Sequence, residues 1–304
     1  MERESFSRLP LLTWRWLGVN EAFLPETLQG YHQAVSGAPA SETKAGALED
    51  RNNIIGIKRK LIHVAEGQSK KAVIVYRTEQ VTDVQADVAE GGSLDLICVQ
   101  LLPTDTAHAG SVSITAGKDA KIRFTAVEAG ASHSVTTLRI DLTGDNAAAD
   151  VAAVYFGDKA RKLDLNYVIN QIGKHTDANM QVRGALQESS DKIFRGTLDF
   201  RRGSKGSAGR EREEVILFNE GIRNRSVPLM LSGEEEVTGH HAVSVGRMNR
   251  EKLFYLMSRG LDEKAAQKLL VQAMLTPVLE RIPDVALQEE IAESIEERIA
   301  DGRS

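Results

Sequence analysis

Short stretches of alternating apolar and polar residues, separated by glycine at nearly regular intervals, occupy the middle of the sequence. They extend from about Ile54 to Gly246, and a period of two predicts β-strands. The clearest stretches are AVIVYR (72–77), SVSITAG (111–117), KIRFTAV (121–127), SVTTLRIDL (134–142), DVAAVYFG (150–157), KLDLNYVI (162–169), ANMQVRGAL (178–186) and FRGTLDF (194–200). The separating glycines are Gly117, Gly130, Gly144, Gly157 and Gly173, at spacings of 13 to 16 residues. This regularity indicates stacked β units.

Regular spacing fits either an antiparallel sandwich or a parallel β-solenoid. The two-residue turns Asn-Gly and Asp-Gly, which are the strongest hairpin signal, are missing from this region. The turns are longer, as in EAGAS, TGDNAAAD and GDKARK. The pattern therefore favours the solenoid, and the sandwich stays open on pattern alone.

The regions on either side of the β pattern differ from it in composition. Near the N-terminus, Trp14 and Trp16 lie between two prolines in a segment that we expect to dock by burying aromatic surface. Residues 33–53 are rich in Ala, Ser, Gly, Glu and Lys, which is typical of a linker. We therefore predict an N-terminal segment and linker at 1–53, a β core at 54–246 and a C-terminal helical docking region at 247–304.

Three amphipathic helices are predicted in the C-terminal region. Asn249 can cap the first, Asp262 the second, which we expect Pro277 to end, and Asp284 precedes the third. Packing against the chain's own β region explains at least one helix, and a partner surface is the alternative for the others. The candidate partner-binding residues are Leu253, Phe254, Met257, Leu269, Leu270 and Met274.

Composition excludes several classes of function. The net charge is −5 and no block of Lys and Arg stands out, so we expect no nucleic acid partner. The sequence has no secretory signal and no run long enough to span a membrane, and we expect a cytoplasmic protein. A single cysteine, Cys98, excludes an intramolecular disulfide and an all-thiolate metal site in one chain. Its place in LDLICVQLL favours an inert thiol in the core.

Motifs of catalysis are missing, and we expect no enzyme activity. The sequence has no GxSxG, no HExxH and no dinucleotide-binding pattern. Gly110 and Gly117-Lys118 do not form a phosphate-binding loop, because six residues separate the glycines and Asp119 follows the lysine. A β-helix enzyme acting on carbohydrate is an alternative, although an aromatic content of 5% weighs against an aromatic-lined groove.

His240 and His241 are the only adjacent histidines in the sequence. On a strand from Val237 to Gly246, alternation puts His241 on the apolar face and His240 on the face of small and polar residues. His241 is either a partly buried structural histidine or a ligand that offers a neutral imidazole to iron or zinc across a subunit interface. His240 is the weaker candidate. The acidic residues at 234–236 could add oxygen ligands, although a solvated turn is their commoner role.

The segment VPLMLSGEEEVTGHHAVSVGRMNREKLFYLMSRGL resembles the C-terminal part of the SufB/SufD family of iron–sulfur cluster assembly scaffolds. The match covers about residues 216–274, and RLPLLTWRWLGVN near the N-terminus is similar to the segment that precedes the core of SufD-type chains. The resemblance implies a fold that is mainly β: a right-handed parallel β-helix core with a C-terminal α-helical segment and a short N-terminal segment. It also implies that His241 corresponds to the assembly-site histidine.

This chain also departs from the family pattern. Gly239 stands where the family usually has cysteine, and the near absence of cysteine favours a SufD-like subunit over a SufB-like one. The resemblance implies a non-catalytic scaffold that pairs with a SufB-like subunit, or with itself, and that binds a SufC-like ABC ATPase through residues 249–275. ATP-driven closure of that ATPase would then move the scaffold pair. We expect no cofactor held stably by the isolated chain, and an iron–sulfur cluster only at a shared subunit interface.

Overall fold

The computed structural model describes residues 5–11, 18–28 and 57–301. Trp14, Trp16 and the predicted linker at 33–53 lie outside the described residues. Within the described ranges, the strands are β1 (Ser5–Arg8), β2 (Glu21–Phe23), β3 (Ile57–Val64), β4 (Ser69–Tyr76), β5 (Gln80–Val88), β6 (Ser93–Gln100), β7 (Ala107–Ala116), β8 (Lys121–Glu128), β9 (His133–Leu142), β10 (Ala148–Gly157), β11 (Lys162–Gln171), β12 (Asp177–Leu186), β13 (Asp191–Phe200), β14 (Ala208–Leu217), β15 (Arg223–Ser232) and β16 (Thr238–Arg247). The helices are α1 (Arg250–Ser258), α2 (Glu263–Leu279) and α3 (Val285–Asp301), and a 3-10 turn covers Glu26–Leu28.

The strands from β3 to β16 form the predicted parallel β-helix, which has two faces. Odd-numbered strands stack in the order β15-β13-β11-β9-β7-β5-β3, and even-numbered strands stack as β16-β14-β12-β10-β8-β6-β4. Every pair of neighbours in these two sheets is parallel. Two consecutive strands therefore make one coil, and the sandwich alternative is wrong.

The regular glycine spacing in the sequence corresponds to half a coil. Lys121, Ala148, Asp177 and Ala208 stack in register, which makes successive coils 27, 29 and 31 residues long. Glycine is required where the chain turns a corner against the coil below. A Cβ at Gly173 would overlap the backbone of Gly144.

The main apolar core fills the space between the two sheets. Both strands of each coil contribute side chains at alternate positions, as Leu94, Leu96 and Cys98 do in β6. Tyr167 lies between two phenylalanines in edge-to-face contacts, with ring centroids 6.5 Å from Phe124 and 5.7 Å from Phe194. The predicted position of Cys98 inside this core is confirmed.

A second core joins the C-terminal helices to the outer face of the even-numbered sheet. Side chains of β6, β8, β10 and β12 contact α2 and α3, through Val271, Leu275, Ile291 and Ile295 among others. The predicted helix starts agree with the structure, since the Asn249 and Asp262 side chains cap α1 and α2. Helices α2 and α3 are therefore part of this chain's own fold.

The prediction that Pro277 ends the second helix is wrong, because α2 continues to Leu279. Proline removes a single backbone hydrogen bond, the one to the carbonyl of residue 273, and Ala273 is exposed, so water can take its place. Val278 and Leu279 are buried in the second core. Their burial holds the last turn in helical conformation.

The N-terminal strands β1 and β2 form an antiparallel pair. Arg195 connects them to the solenoid, because its guanidinium makes a bidentate ion pair with Asp164 and donates to the carbonyls of Val19 and Glu21. Leu9 and Val19 pack with residues of β13 and β15. The described N-terminal residues thus cover part of the outer face of the odd-numbered sheet.

Candidate functional site

The C-terminal end of the solenoid is formed by β15 and β16, the last strands of their sheets. Among the described residues, no further strand pairs with their outer edges. Such edges present free backbone N–H and C=O groups, which are able to pair with another chain. Val243 and Val245 of β16 are 38% and 45% exposed, so apolar side chains also lie open at this end.

His240 and His241 lie on opposite faces of β16. His241 pairs in register with Glu211, whose side chain is buried inside the solenoid, and His240 pairs with Arg210, which is exposed on the outer face. A Cβ at Gly239, two residues before His241, would meet the Met230 side chain across the interior. The backbone therefore turns His241 toward the solenoid axis. His241 is exposed because its coil is the last one.

Beneath His241, the inner side chains at the same register position are first a carboxyl and then an apolar side chain. Met180, Glu211 and His241 follow one another in register on β12, β14 and β16. Met180 is fully buried and Glu211 is 3% exposed. Neither carboxyl oxygen of Glu211 has a hydrogen-bond partner. Burial raises the pKa of this carboxyl to about 8, and the nearby Glu213 carboxylate adds to the shift.

A buried ion pair lies next to Glu211 in the same coil. The Lys192 ammonium is 2.5 Å from an oxygen of Glu213, and both side chains are completely buried. The same oxygen of Glu213 accepts a hydrogen bond of 3.0 Å from the Tyr155 hydroxyl. Lys192 also donates to the Ser226 hydroxyl, at 3.1 Å. Lys192 thus neutralises Glu213 and leaves Glu211 without a cation.

The residues at this end fit an iron ion better than a cluster held by thiolates of this chain. Gly239 offers no ligand, and Cys98 lies in β6, five strand spacings from β16, or roughly 24 Å. Imidazole and carboxylate suit iron, and His241 and the unpartnered Glu211 are of these types. Within the described ranges, no three His, Cys, Asp or Glu side chains come together in a way that could hold a metal ion. Further ligands would have to come from another molecule.

The Cys98 thiol is enclosed by core residues. Its sulfur is 3.8 Å from the Tyr76 hydroxyl, and burial raises the pKa of the thiol to about 12. The thiol therefore stays protonated near neutral pH and is a poor nucleophile and ligand.

The acidic residues at 234–236 make local contacts in the turn between β15 and β16. The Glu234 carboxylate accepts hydrogen bonds from the backbone N–H groups of Gly203, at 3.1 Å, and Glu235, at 3.0 Å. Glu236 is 2.7 Å from the Lys205 ammonium on the coil below. These carboxylates stabilise the turn.

Helix α1 presents a second group of exposed apolar side chains. It has no buried residue, and Phe254 and Tyr255 are 74% and 62% exposed. Met257 on α1 and Leu269 on α2 are also exposed. We call these four residues, Phe254, Tyr255, Met257 and Leu269, the α1 surface. The other candidate partner-binding residues, Leu253, Leu270 and Met274, are partly buried against the second core.

Glu211, Glu213 and Lys192 are not among the site residues predicted from the sequence, although the sequence carries a signal for them. The segment REREE (210–214) alternates arginine and glutamate, and alternation on a strand sends one set of charges inward. A charge inside the solenoid needs a partner. The partner of Glu213, Lys192, is 21 residues away in sequence and meets it only because the coil closes.

None of the helices in the described ranges combines the length and apolarity that crossing a membrane requires.

Comparison with known proteins points to one family. The family described as SUF system FeS cluster assembly, SufBD core domain, matches residues 47–274. The chain is similar to the iron–sulfur cluster assembly protein SufD of Bacillus subtilis, with 24% identity over 251 residues that cover 83% of this chain and 56% of that protein. It is also similar to an iron–sulfur cluster assembly SufBD family protein of Mycobacterium leprae, with 24% identity over 225 residues that cover 71% of this chain and 57% of that protein. The chain thus spans little more than half the length of these relatives.

Proposed function

The chain belongs to the SufBD core family of the SUF system of iron–sulfur cluster assembly, and from this membership we propose that it is a SufD-like scaffold subunit with no catalytic activity of its own. Its substrate is iron or a nascent cluster, bound at the C-terminal end of the solenoid. The observation that carries the proposal is the position of His241 on the last coil, where it is exposed and directed toward the axis above an unpartnered carboxyl.

A SufB-like subunit is the proposed partner at this end. The unpaired edges of β15 and β16 and the exposed Val243 and Val245 support an interface there. The partner would supply the thiolates, since Gly239 carries no side chain and Cys98 is enclosed in the core. The interface would also supply the further ligands that an ion at His241 requires.

A SufC-like ABC ATPase is the proposed partner of the α1 surface. Exposed aromatic and methionine side chains are typical anchors of a helix that binds in a groove. Phe254 and Tyr255 are suited to this role because their exposure costs free energy that a partner would recover by covering them.

Co-purification tests both partners. A tagged chain co-expressed with a SufC-like ATPase and a SufB-like subunit should capture both. Phe254→Ala and Met257→Ala should lower affinity for the ATPase by at least about tenfold, and Glu251→Ala on the same helix should not. If the tagged chain captures a second copy of itself and no SufB-like subunit, the proposed partner is this chain itself. Capture of neither ATPase nor scaffold partner contradicts the proposal.

Iron content tests the histidine. After anaerobic reconstitution of the complex, His241→Ala should retain less iron than the wild type, because an imidazole ligand is lost. His240→Ala is the matched control, since the adjacent side chain lies on the outer face. Equal iron in the wild type and His241→Ala would make His241 a structural residue.

A further inference from the structure

We propose that Glu211 supplies a carboxylate oxygen to the same divalent cation that His241 binds, so that this chain contributes two ligands. The inference rests on the proposed function, because it takes the end of the solenoid as the place where iron binds. It adds a residue that the resemblance to the family did not indicate.

Glu211 is costly to the fold as it stands. Its side chain is 3% exposed, and both oxygens lack a hydrogen-bond partner. A buried polar group without a partner lowers stability, and a buried carboxylate without a cation lowers it further. Glu213, two residues on, has both a lysine and a tyrosine hydroxyl as partners. The fold therefore satisfies one of its two inner carboxyls and leaves the other without a partner.

The Glu211 carboxyl lies against Gly196 of the facing strand, and the next side chain of its row toward the end of the solenoid is exposed. A Cβ at position 196, on the facing strand β13, would overlap the Glu211 carboxyl, and Gly196 leaves that space free. Below Glu211 the row continues with the fully buried Met180, and above it with the exposed His241. In the proposed site, the ion therefore reaches Glu211 from the side of His241.

The chemistry of the pair selects a divalent cation. Register places His241 one strand spacing above Glu211, or roughly 4.8 Å between backbones. Small side-chain rotations could bring an imidazole nitrogen and a carboxylate oxygen to one ion. Imidazole with carboxylate suits Fe²⁺ and Co²⁺, and the ion would give the Glu211 carboxyl the partner that Lys192 does not provide. Its remaining positions would be open to water or to a partner subunit.

Anaerobic titration of the full chain with Co²⁺, followed by visible absorbance, tests the pair. The variants are Glu211→Gln, which keeps the shape of the side chain, Glu211→Asp, which withdraws the carboxyl, and His241→Ala. Glu214→Gln is the matched control, because Glu214 lies on the same strand, is partly exposed and pairs with Arg183 and Arg212 on the outer side. Circular dichroism checks that each variant is folded.

We expect wild type and Glu214→Gln to bind Co²⁺ alike, and each substitution at 211 or 241 to weaken binding by at least about tenfold. The double variant Glu211→Gln/His241→Ala should weaken binding by less than the product of the two single effects, because both residues hold one ion. If folded Glu211→Gln binds Co²⁺ with wild-type affinity while His241→Ala loses it, the inference about Glu211 is wrong and the proposed role of His241 stands. Weaker Co²⁺ binding by the variants at 211 but not by His241→Ala would overturn the shared site. Absence of Co²⁺ binding by the wild type would overturn it as well. Failure of co-purification bears only on the proposed partners.

Discussion

Ionisable side chains inside the solenoid are the residues whose behaviour is easiest to test singly. Glu128 is 6% exposed and lies in the interior with His108 and Ser134. The Ser134 hydroxyl donates to the Glu128 carboxyl at 2.9 Å and is 3.5 Å from a ring nitrogen of His108. Burial raises the pKa of Glu128 to about 7 and lowers the pKa of His108 to about 4. Both groups are therefore uncharged in the folded chain at pH 5 to 6.

Glu128→Gln should change the pH dependence of stability. The pKa of Glu128 rises from 4.5 in the unfolded chain to about 7 in the folded one, so the folded state holds the proton more tightly. The stability that this provides is complete below pH 4.5 and is lost as the pH rises to 7. Between pH 4.5 and 7, the free energy of unfolding of the wild type should fall by roughly 2–3 kcal/mol relative to that of Glu128→Gln. Urea unfolding at several pH values measures this difference. Both proteins contain His108, so its titration does not contribute to the difference between them. A difference independent of pH contradicts the assignment.

Lys192→Met should be strongly destabilising, because it leaves the Glu213 carboxylate buried without its cation. The expected loss is about 3–5 kcal/mol in the free energy of unfolding. Lys192→Met/Glu213→Gln should recover most of that loss, since glutamine is uncharged and keeps an oxygen for the Tyr155 hydroxyl. Urea unfolding compares the variants, and a double variant as unstable as the single one would show that Lys192 matters for packing instead of charge.

At the scale of single elements, the corners of the coils limit which residues the chain tolerates. Gly173→Ala should destabilise the chain by roughly 2–3 kcal/mol, because the added Cβ would overlap the backbone of Gly144 in the adjacent coil. Gly246→Ala is the matched control, since nothing lies within 4 Å of the position that its Cβ would take. Thermal unfolding distinguishes them, and equal midpoints would mean that the corner relaxes at little cost.

At the scale of the whole molecule, a truncation cannot separate the packing role of the C-terminal helices from the partner binding proposed for α1. Helices α2 and α3 cover the outer face of the even-numbered sheet, whereas α1 has no buried residue. A chain ending at Met248 would expose Ile97, Val99 and Phe156, which are fully buried in the second core. We expect it to aggregate, as measured by light scattering, because that face is apolar. Phe254→Ala should stay monodisperse with an unchanged unfolding midpoint, and a soluble, folded truncation would contradict the packing role.

The fold was predictable from the sequence to a large extent, and the site only in part. Alternation identified the strands, and the glycine spacing identified the repeat, because strand period and corner geometry are local properties of the backbone. Alternation also separated His240 from His241 correctly. Sequence pattern alone did not indicate that Leu253, Leu270 and Met274 are partly buried against this chain's own core while Phe254 is exposed. The sequence pattern of an apolar helix stripe is the same whether the stripe packs on the chain's own sheet or binds another protein.

The sequence by itself determined the strands, their regular glycine punctuation, the helix caps and the opposite faces of His240 and His241. Tertiary structure decided which coil is last, and therefore that His241 is exposed although it points toward the axis. It also decided that Lys192 neutralises Glu213 and leaves Glu211 unpartnered. The physical reason is that alternation and turn chemistry act between neighbours in sequence. Burial and charge compensation depend on residues that the coils bring together from distant parts of the chain.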